Sequence, residues 1–194
     1  PHITGYWFLE QNDNWQPPTE LIDFLEAGAQ PVYVGFGSMA GRNPQRIANI
    51  VVDALQKAKV RGIFATGWCG LDADNLPETI FKIDKVPHNW LFPRVSAVVH
   101  HGGAGTIAAG LRAGKPTIVC AFLVDQFYWG ERIYALGVGS KPISQKKLTA
   151  NKLAEAIKDV TTDKVISQNA ETLGKKIRQE DGIKSAIAII ENLA

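Results

Sequence analysis

Two adjacent histidines run directly into a cluster of glycines at Val98-Val99-His100-His101-Gly102-Gly103-Ala104-Gly105-Thr106. Glycine lets a backbone bend sharply and lets a ligand approach it closely. If a strand ends at His100 and a helix opens near Ala104, several amides of the turn point outward at the positive end of the helix, which makes a seat for an anion. Thr106 adds a hydroxyl in the first helical turn. His101 can donate a hydrogen bond or a proton to an oxygen that becomes more negative as a bond breaks. The competing reading is a purely structural glycine turn flanked by core histidines. A metal site on the histidine pair is disfavoured, because neighbours at the end of a strand point to opposite faces.

Three further clusters carry chemistry. Gly35-Phe36-Gly37-Ser38-Met39-Ala40 follows an apolar run and leads to a helix, in the form of a dinucleotide fingerprint with alanine last. That fingerprint needs an acid at the end of the second strand to hold ribose hydroxyls, and the second strand here ends Ala65-Thr66-Gly67-Trp68. A tight structural turn, or a turn whose amides face a phosphate, fits better than NAD. Asp125-Gln126 offers a carboxylate beside an amide, a clamp suited to vicinal sugar hydroxyls, although the pair also reads as an ordinary helix N-cap. Asp72-Ala73-Asp74 has the Asp-x-Asp form of metal-dependent sugar transferases, but its Gly- and Pro-flanked surroundings read as a solvated loop.

The elements that must position these residues alternate between short β-branched or aromatic runs and stretches of helical period. Strands are predicted at residues 31–36, 62–66, 80–83, 97–100 and 116–121, with an edge strand at 140–143. Helices are predicted after Asn43-Pro44 on the face Ile47, Ile50, Val51, Ala54 and Leu55, then at 104–113, at 126–136, and from an N-cap at Thr149 to about Val160. The fold class is α/β, a single Rossmann-like domain with a doubly wound, six-stranded parallel sheet. Residues 1–30 read as a linker and lead-in segment, 31–162 as the nucleotide-binding domain, and 163–194 as two extra helices interrupted at Asp181-Gly182, not needed to complete the sheet. The apolar and aromatic opening, residues 1–9, reads as a continuation from something longer.

Composition narrows the partners. Of 194 residues, 45% are hydrophobic, enough for one core, and 21 basic against 19 acidic side chains give a net charge of +2. The charges are scattered, so nothing forms the basic stripe that nucleic acid requires. Cys69 and Cys120 have no metal-type spacing and read as reduced thiols of a cytoplasmic protein. No apolar run approaches the roughly 18 residues needed to cross a bilayer.

Taken together these pieces resemble the C-terminal domain of glycosyltransferase family one, whose two-domain architecture is called GT-B. The resemblance rests on an ordered block: Val86-Pro87-His88, His101-Gly102-Gly103, Gly114-Lys115-Pro116 and Asp125-Gln126. Gly5-Tyr6-Trp7-Phe8, Leu91-Phe92-Pro93-Arg94, Leu111-Arg112-Ala113-Gly114 and Arg178-Gln179-Glu180-Asp181-Gly182 are most similar to sterol 3-beta-glucosyltransferases and their bacterial relatives.

The resemblance implies a donor site for a UDP-sugar, UDP-glucose first. His101 with the turn Gly102, Gly103, Ala104, Gly105 and Thr106 would hold the diphosphate, Gly37 and Ser38 would approach it from the first turn, and Asp125 and Gln126 would grip the hexose. Val86 would meet the uracil edge and Trp68 would lie near the base. In plant members a stacking Trp stands at Lys85 and a ribose-binding Glu at Ala109. The implied reaction is an inverting transfer to a lipophilic hydroxyl acceptor such as a sterol, without metal or other cofactor. The acceptor pocket and base would lie in an N-terminal domain, so this chain alone would be inactive, any membrane contact would be peripheral and through the acceptor, and the last helix would brace the other domain. A UDP-sugar epimerase, a phosphorylase, a non-catalytic nucleotide-sugar binding module and an NAD-dependent oxidoreductase are the alternatives.

Overall fold

The structure, a computed structural model, describes residues 1–8, 15–37, 43–65 and 76–192. Its strands are β1 (Val32–Gly35), β2 (Gly62–Ala65), β3 (Ile80–Ile83), β4 (Ala97–His100), β5 (Thr117–Ala121) and β6 (Ile143–Ser144). The helices are α1 (Thr19–Glu26), α2 (Pro44–Ala58), α3 (His88–Leu91), α4 (Ala104–Arg112), α5 (Val124–Ala135), α6 (Ala150–Thr162), α7 (Lys164–Gln179) and α8 (Gly182–Glu191). The strands form one parallel sheet in the order β3-β2-β1-β4-β5-β6. This is the doubly wound arrangement, with the order reversing between β1 and β4.

Both sheet faces are covered, which is why β1, β4 and β5 are buried along their whole length and read as nearly continuous apolar runs. On one face Val32, Val34, Phe36, Phe64, Val99, Ile118 and Cys120 pack against α2 and α6. On the other, Tyr33, Ile63 and Val98 pack against α1, α3 and the residues just after α3, while Val119 and Ala121 pack against α4, α5 and α7. Burial pushes the Cys120 thiol up to about 12, so it stays protonated in the core. Cys69 lies outside the described residues.

Local chemistry sets the helix starts. Asn43 accepts from the Arg46 amide at 2.9 Å ahead of Pro44, Thr149 accepts from Lys152 at 3.3 Å, and Asp163 and Asp181 cap α7 and α8. Such caps each contribute about 1 kcal/mol.

Two boundaries differ from the expectation, and both end segments pack on the domain. The edge strand is Ile143–Ser144 instead of 140–143, pairing only with Cys120 and Ala121, because Pro142 has no N–H to give a ladder and packs on Gly130 instead. Helix α5 starts at Val124, two residues earlier than the sequence pattern predicts. Residues 1–30 do more than lead in: Leu21 of α1 is fully buried with Tyr33 and Phe92, and Tyr6 and Phe8 pack beside Ile107 and Leu111. The tail helix α7 packs on this domain, its Gly174 set against Gly114 and the Leu111 carbonyl, with Arg178 bonded to the Arg112 carbonyl and Glu171. Helix α8 buries Gly182 and Ala186 but leaves Ile183, Ile187 and Ile190 exposed.

Candidate functional site

A parallel sheet delivers all its strand C-termini to one edge, and the reversal of order between β1 and β4 opens a crevice there. Phe36 and Gly37 leave β1 and His101, Gly102 and Gly103 leave β4, so both glycine turns flank that crevice. Gly37 and Gly102 have φ of +56° and +95°, the left-handed region that favours glycine. At Gly102 a Cβ would also sit 2.9 Å from Val119 Cγ1 and 3.1 Å from Gln126 Cβ.

The first backbone bond of α4 runs from the Ile107 N–H to the Gly103 carbonyl at 3.0 Å. The amides of Ala104, Gly105 and Thr106 therefore have no acceptor within the helix, and the N-cap Gly103 has no side chain to cap them. Ala104 and Gly105 are exposed and Thr106 is half-buried. Three donors stand at the positive end of a helix beside the crevice.

His101 lies between the two turns. A Cβ on Gly37 would be 3.6 Å from its Cε1, and one on Gly103 would be 2.5 Å from its Nε2, so the ring can fold over Gly103 only because that residue is glycine. Among the described residues its buried Nδ1 has no hydrogen-bond partner, a deficit that a ligand oxygen would satisfy. Burial holds the imidazole below its usual pKa, and the Asp125 carboxylate opposes that effect. Asp125 is exposed in the first turn of α5. His101 and Asp125 thus act on one another across the site.

His100 has the opposite environment. It is fully buried, its ring perpendicular to that of His101 with centroids 6.4 Å apart, and burial with His101 and His88 nearby pushes its pKa down to about 3. The two histidines diverge, and among the described residues no group of three His, Cys, Asp or Glu side chains could hold a metal ion.

Two of the candidate residues also hold the local backbone. The Gly102 N–H turns inward and donates to His100 Nδ1 at 2.9 Å, so it is not among the outward amides. Gln126 is buried, and its Oε1 accepts from the Phe122 and Leu123 amides at 2.7 and 3.1 Å. Leu123 is the N-cap of α5 and has no oxygen to return the bond, so Gln126 forms half a capping box. That bond pulls the helix start back to Val124 and leaves Nε2 as the end of Gln126 a ligand can use. Val86 lies in the loop after β3, half-buried against the Tyr33 cluster. Ser38, Trp68 and the pair Asp72 and Asp74 lie outside the described residues.

Residues 65–184, more than half of the chain, match the family described as Erythromycin biosynthesis protein CIII-like, C-terminal domain. The chain belongs to that family. This EryCIII-like C-terminal domain is 47% identical over 186 residues to Sterol 3-beta-glucosyltransferase UGT80A2 of Arabidopsis thaliana, covering 95% of the chain and 29% of that protein. It is 43% identical over 202 residues to a Sterol 3-beta-glucosyltransferase of Saccharomyces cerevisiae (strain YJM789), covering 98% of the chain and 17% of that protein. The chain thus spans less than a third of the length of these curated relatives. Among solved structures, the glycotransferase of kitacinnamycin superposes with a TM-score of 0.76 at 22% identity, over 95% of this chain and 47% of that one. Arabidopsis thaliana UGT89C1 gives 0.76 at 19% identity, over 95% and 49%. At these identities the structures show a shared fold, that of one half of a GT-B protein. In the EryCIII-like domain Lys85 is exposed and Ala109 packs half-buried against the Tyr33 cluster, so neither puts a ring or a carboxylate into the crevice.

The bond between His100 and the Gly102 amide was not legible in the sequence around it. The signal that could have found it is spacing: a side-chain acceptor two residues before a positive-φ glycine can take that glycine's amide, as Asn and Asp do in turns.

Proposed function

We propose that the chain binds the nucleoside-diphosphate-sugar donor, with UDP-glucose the favoured donor, for an inverting glycosyl transfer to a lipophilic hydroxyl acceptor such as a sterol. The observation that carries this reading is the pairing of an unpartnered His101 Nδ1 with the uncapped start of α4, both at the strand-order reversal. The order of candidate residues along the sheet edge supports it: Val86 follows β3, Gly37 follows β1, His101 to Thr106 follow β4, and Asp125 follows β5. Adjacent strands are about 4.8 Å apart, so the track from β3 to β5 is about 19 Å long. Base, diphosphate and hexose laid along it in that order meet an apolar shelf, a ring of amide donors and a carboxylate.

In the transfer the acceptor oxygen forms a bond to the anomeric carbon from one side as the bond to the diphosphate oxygen breaks on the other. The acceptor proton goes to a base outside this chain, and the leaving UDP takes the electron pair. The amides of Ala104, Gly105 and Thr106 face the charge that develops on that oxygen without reorganising. His101 is largely neutral in the empty site, and an arriving diphosphate favours its protonated form, which donates a hydrogen bond to the departing oxygen. No step is assigned to a metal. The sterol acceptor is favoured by the names of the relatives, and acceptor contacts would come from the remainder of a longer protein, so the isolated chain is expected to bind donor without transferring sugar.

Calorimetric titration with UDP-glucose, UDP, dTDP and NAD tests the reading. UDP or UDP-glucose should bind most tightly and NAD least; no heat with UDP at millimolar concentration, or preference for NAD, would overturn it.

A further inference from the structure

His100 closes β4 in register with Gly35 of β1, and the Tyr33 hydroxyl fills the space a side chain at Gly35 would need. In that packed setting His100 Nδ1 accepts the Gly102 N–H at 2.9 Å. An accepting ring nitrogen carries no proton, so in the neutral ring the proton sits on Nε2, which is buried and has no partner among the described residues. A side chain that captures the amide two residues on closes the loop an Asx-turn closes, here with an imidazole instead of a carboxamide. Gly102, whose amide is held in this way, has a φ of +95°, and the His101 ring that precedes it lies over the bare Cα of Gly103 at the entry to α4.

We propose that His100 is a positioning residue for the diphosphate: by holding the Gly102 amide it sets the turn that aims His101 and the amides of Ala104, Gly105 and Thr106 at the ligand. The inference rests on the donor-binding reading above. Its physical content is that one buried hydrogen bond determines the direction of several exposed ones. An apolar residue of similar size would fill the core yet leave the Gly102 amide buried without a partner, free to turn the loop toward some other acceptor.

The test compares His100→Leu, which fills the site but cannot accept, with His100→Asn, which can. UDP and uridine are titrated by calorimetry into each variant and into the wild type, uridine serving as the ligand without phosphates. His100→Leu should weaken UDP about tenfold or more while uridine stays within about twofold, and His100→Asn should bind both within about threefold of wild type. A Leu variant that binds UDP as tightly as wild type, or loses UDP and uridine alike, overturns the proposal. Should His100→Leu not fold, imidazole 15N shifts of the wild type decide: a protonated Nε2 with a bare Nδ1 supports the proposal, and the opposite tautomer overturns it. A wild type that binds UDP no better than uridine brings down the donor-binding reading itself, and does so without reference to any His100 variant.

Discussion

Replacing Gly105 by alanine should strengthen the fold and weaken donor binding at once. Gly105 is in the first turn of α4, it has no positive φ, and a Cβ there would meet nothing within 4 Å among the described residues. The methyl group therefore costs no packing, and removing a glycine from a position whose conformation alanine accepts stabilises by about 0.4–1 kcal/mol through the unfolded chain. For a domain of this size that is a rise of about 1–4 °C in Tm. If the open space beside Gly105 is where a diphosphate comes within hydrogen-bond reach of the helix start, the same methyl group pushes the ligand back and breaks at least one charged hydrogen bond. Such bonds are worth about 1.5–3 kcal/mol, so UDP affinity should fall about 10- to 100-fold. Differential scanning fluorimetry without ligand gives the first quantity and calorimetry with UDP the second. A variant with raised Tm and undiminished UDP affinity would refute the placement of the ligand at these amides, and a lowered Tm would refute the description of the space as open.

Acid should destabilise the protein through His100. Its pKa in the fold is about 3 against about 6.5 unfolded, so between those values the unfolded chain holds the extra proton and stability falls as pH falls, by about 2 kcal/mol at pH 5 from this group; urea titrations at pH 7 and pH 5 measure it, and a pH-independent midpoint would contradict a buried neutral ring. Gly174→Ala should cost about 1–3 kcal/mol, because its Cβ would lie 2.7 Å from Gly114 Cα and 2.8 Å from the Leu111 carbonyl oxygen, both backbone; an unchanged Tm would mean that α7 does not dock on α4. His101→Ala should weaken UDP about tenfold while leaving the fold intact, since the ring is half-buried over a glycine; unaltered UDP binding would remove its role. Added EDTA should leave UDP affinity unchanged by calorimetry, and a loss on chelation would contradict the metal-free reading.

The strands and the site-bearing turns were legible because each is a local statement. Val32 to Gly35 and Ala97 to Val99 are apolar on both faces, as a covered parallel sheet requires, and the glycines after β4 stand where a strand must give way to a helix. The sheet edge at residues 140–143 was read too early because Pro142 looks apolar in a pattern while lacking the donor a ladder needs. The docking of α7 was not legible because its contact with α4 depends on two glycines 60 positions apart, Gly114 and Gly174, a pairing no window of sequence contains. For Gln126 the sequence leaves both a sugar contact and a helix cap open; the structure commits Oε1 to two amides and leaves Nε2, because an amide side chain carries the same atoms for capping as for recognition. His101 stands apart from its neighbour His100 already in the resemblance, and burial accords with that division, placing His100 in the core and leaving His101 half-buried beside the crevice.

The most direct test of the whole account is a 1H–15N spectrum recorded while UDP is titrated into the protein, with uridine as the control. The amides of Ala104, Gly105 and Thr106 should shift with UDP and stay in place with uridine. Saturation with UDP while those three amides remain unmoved would contradict it.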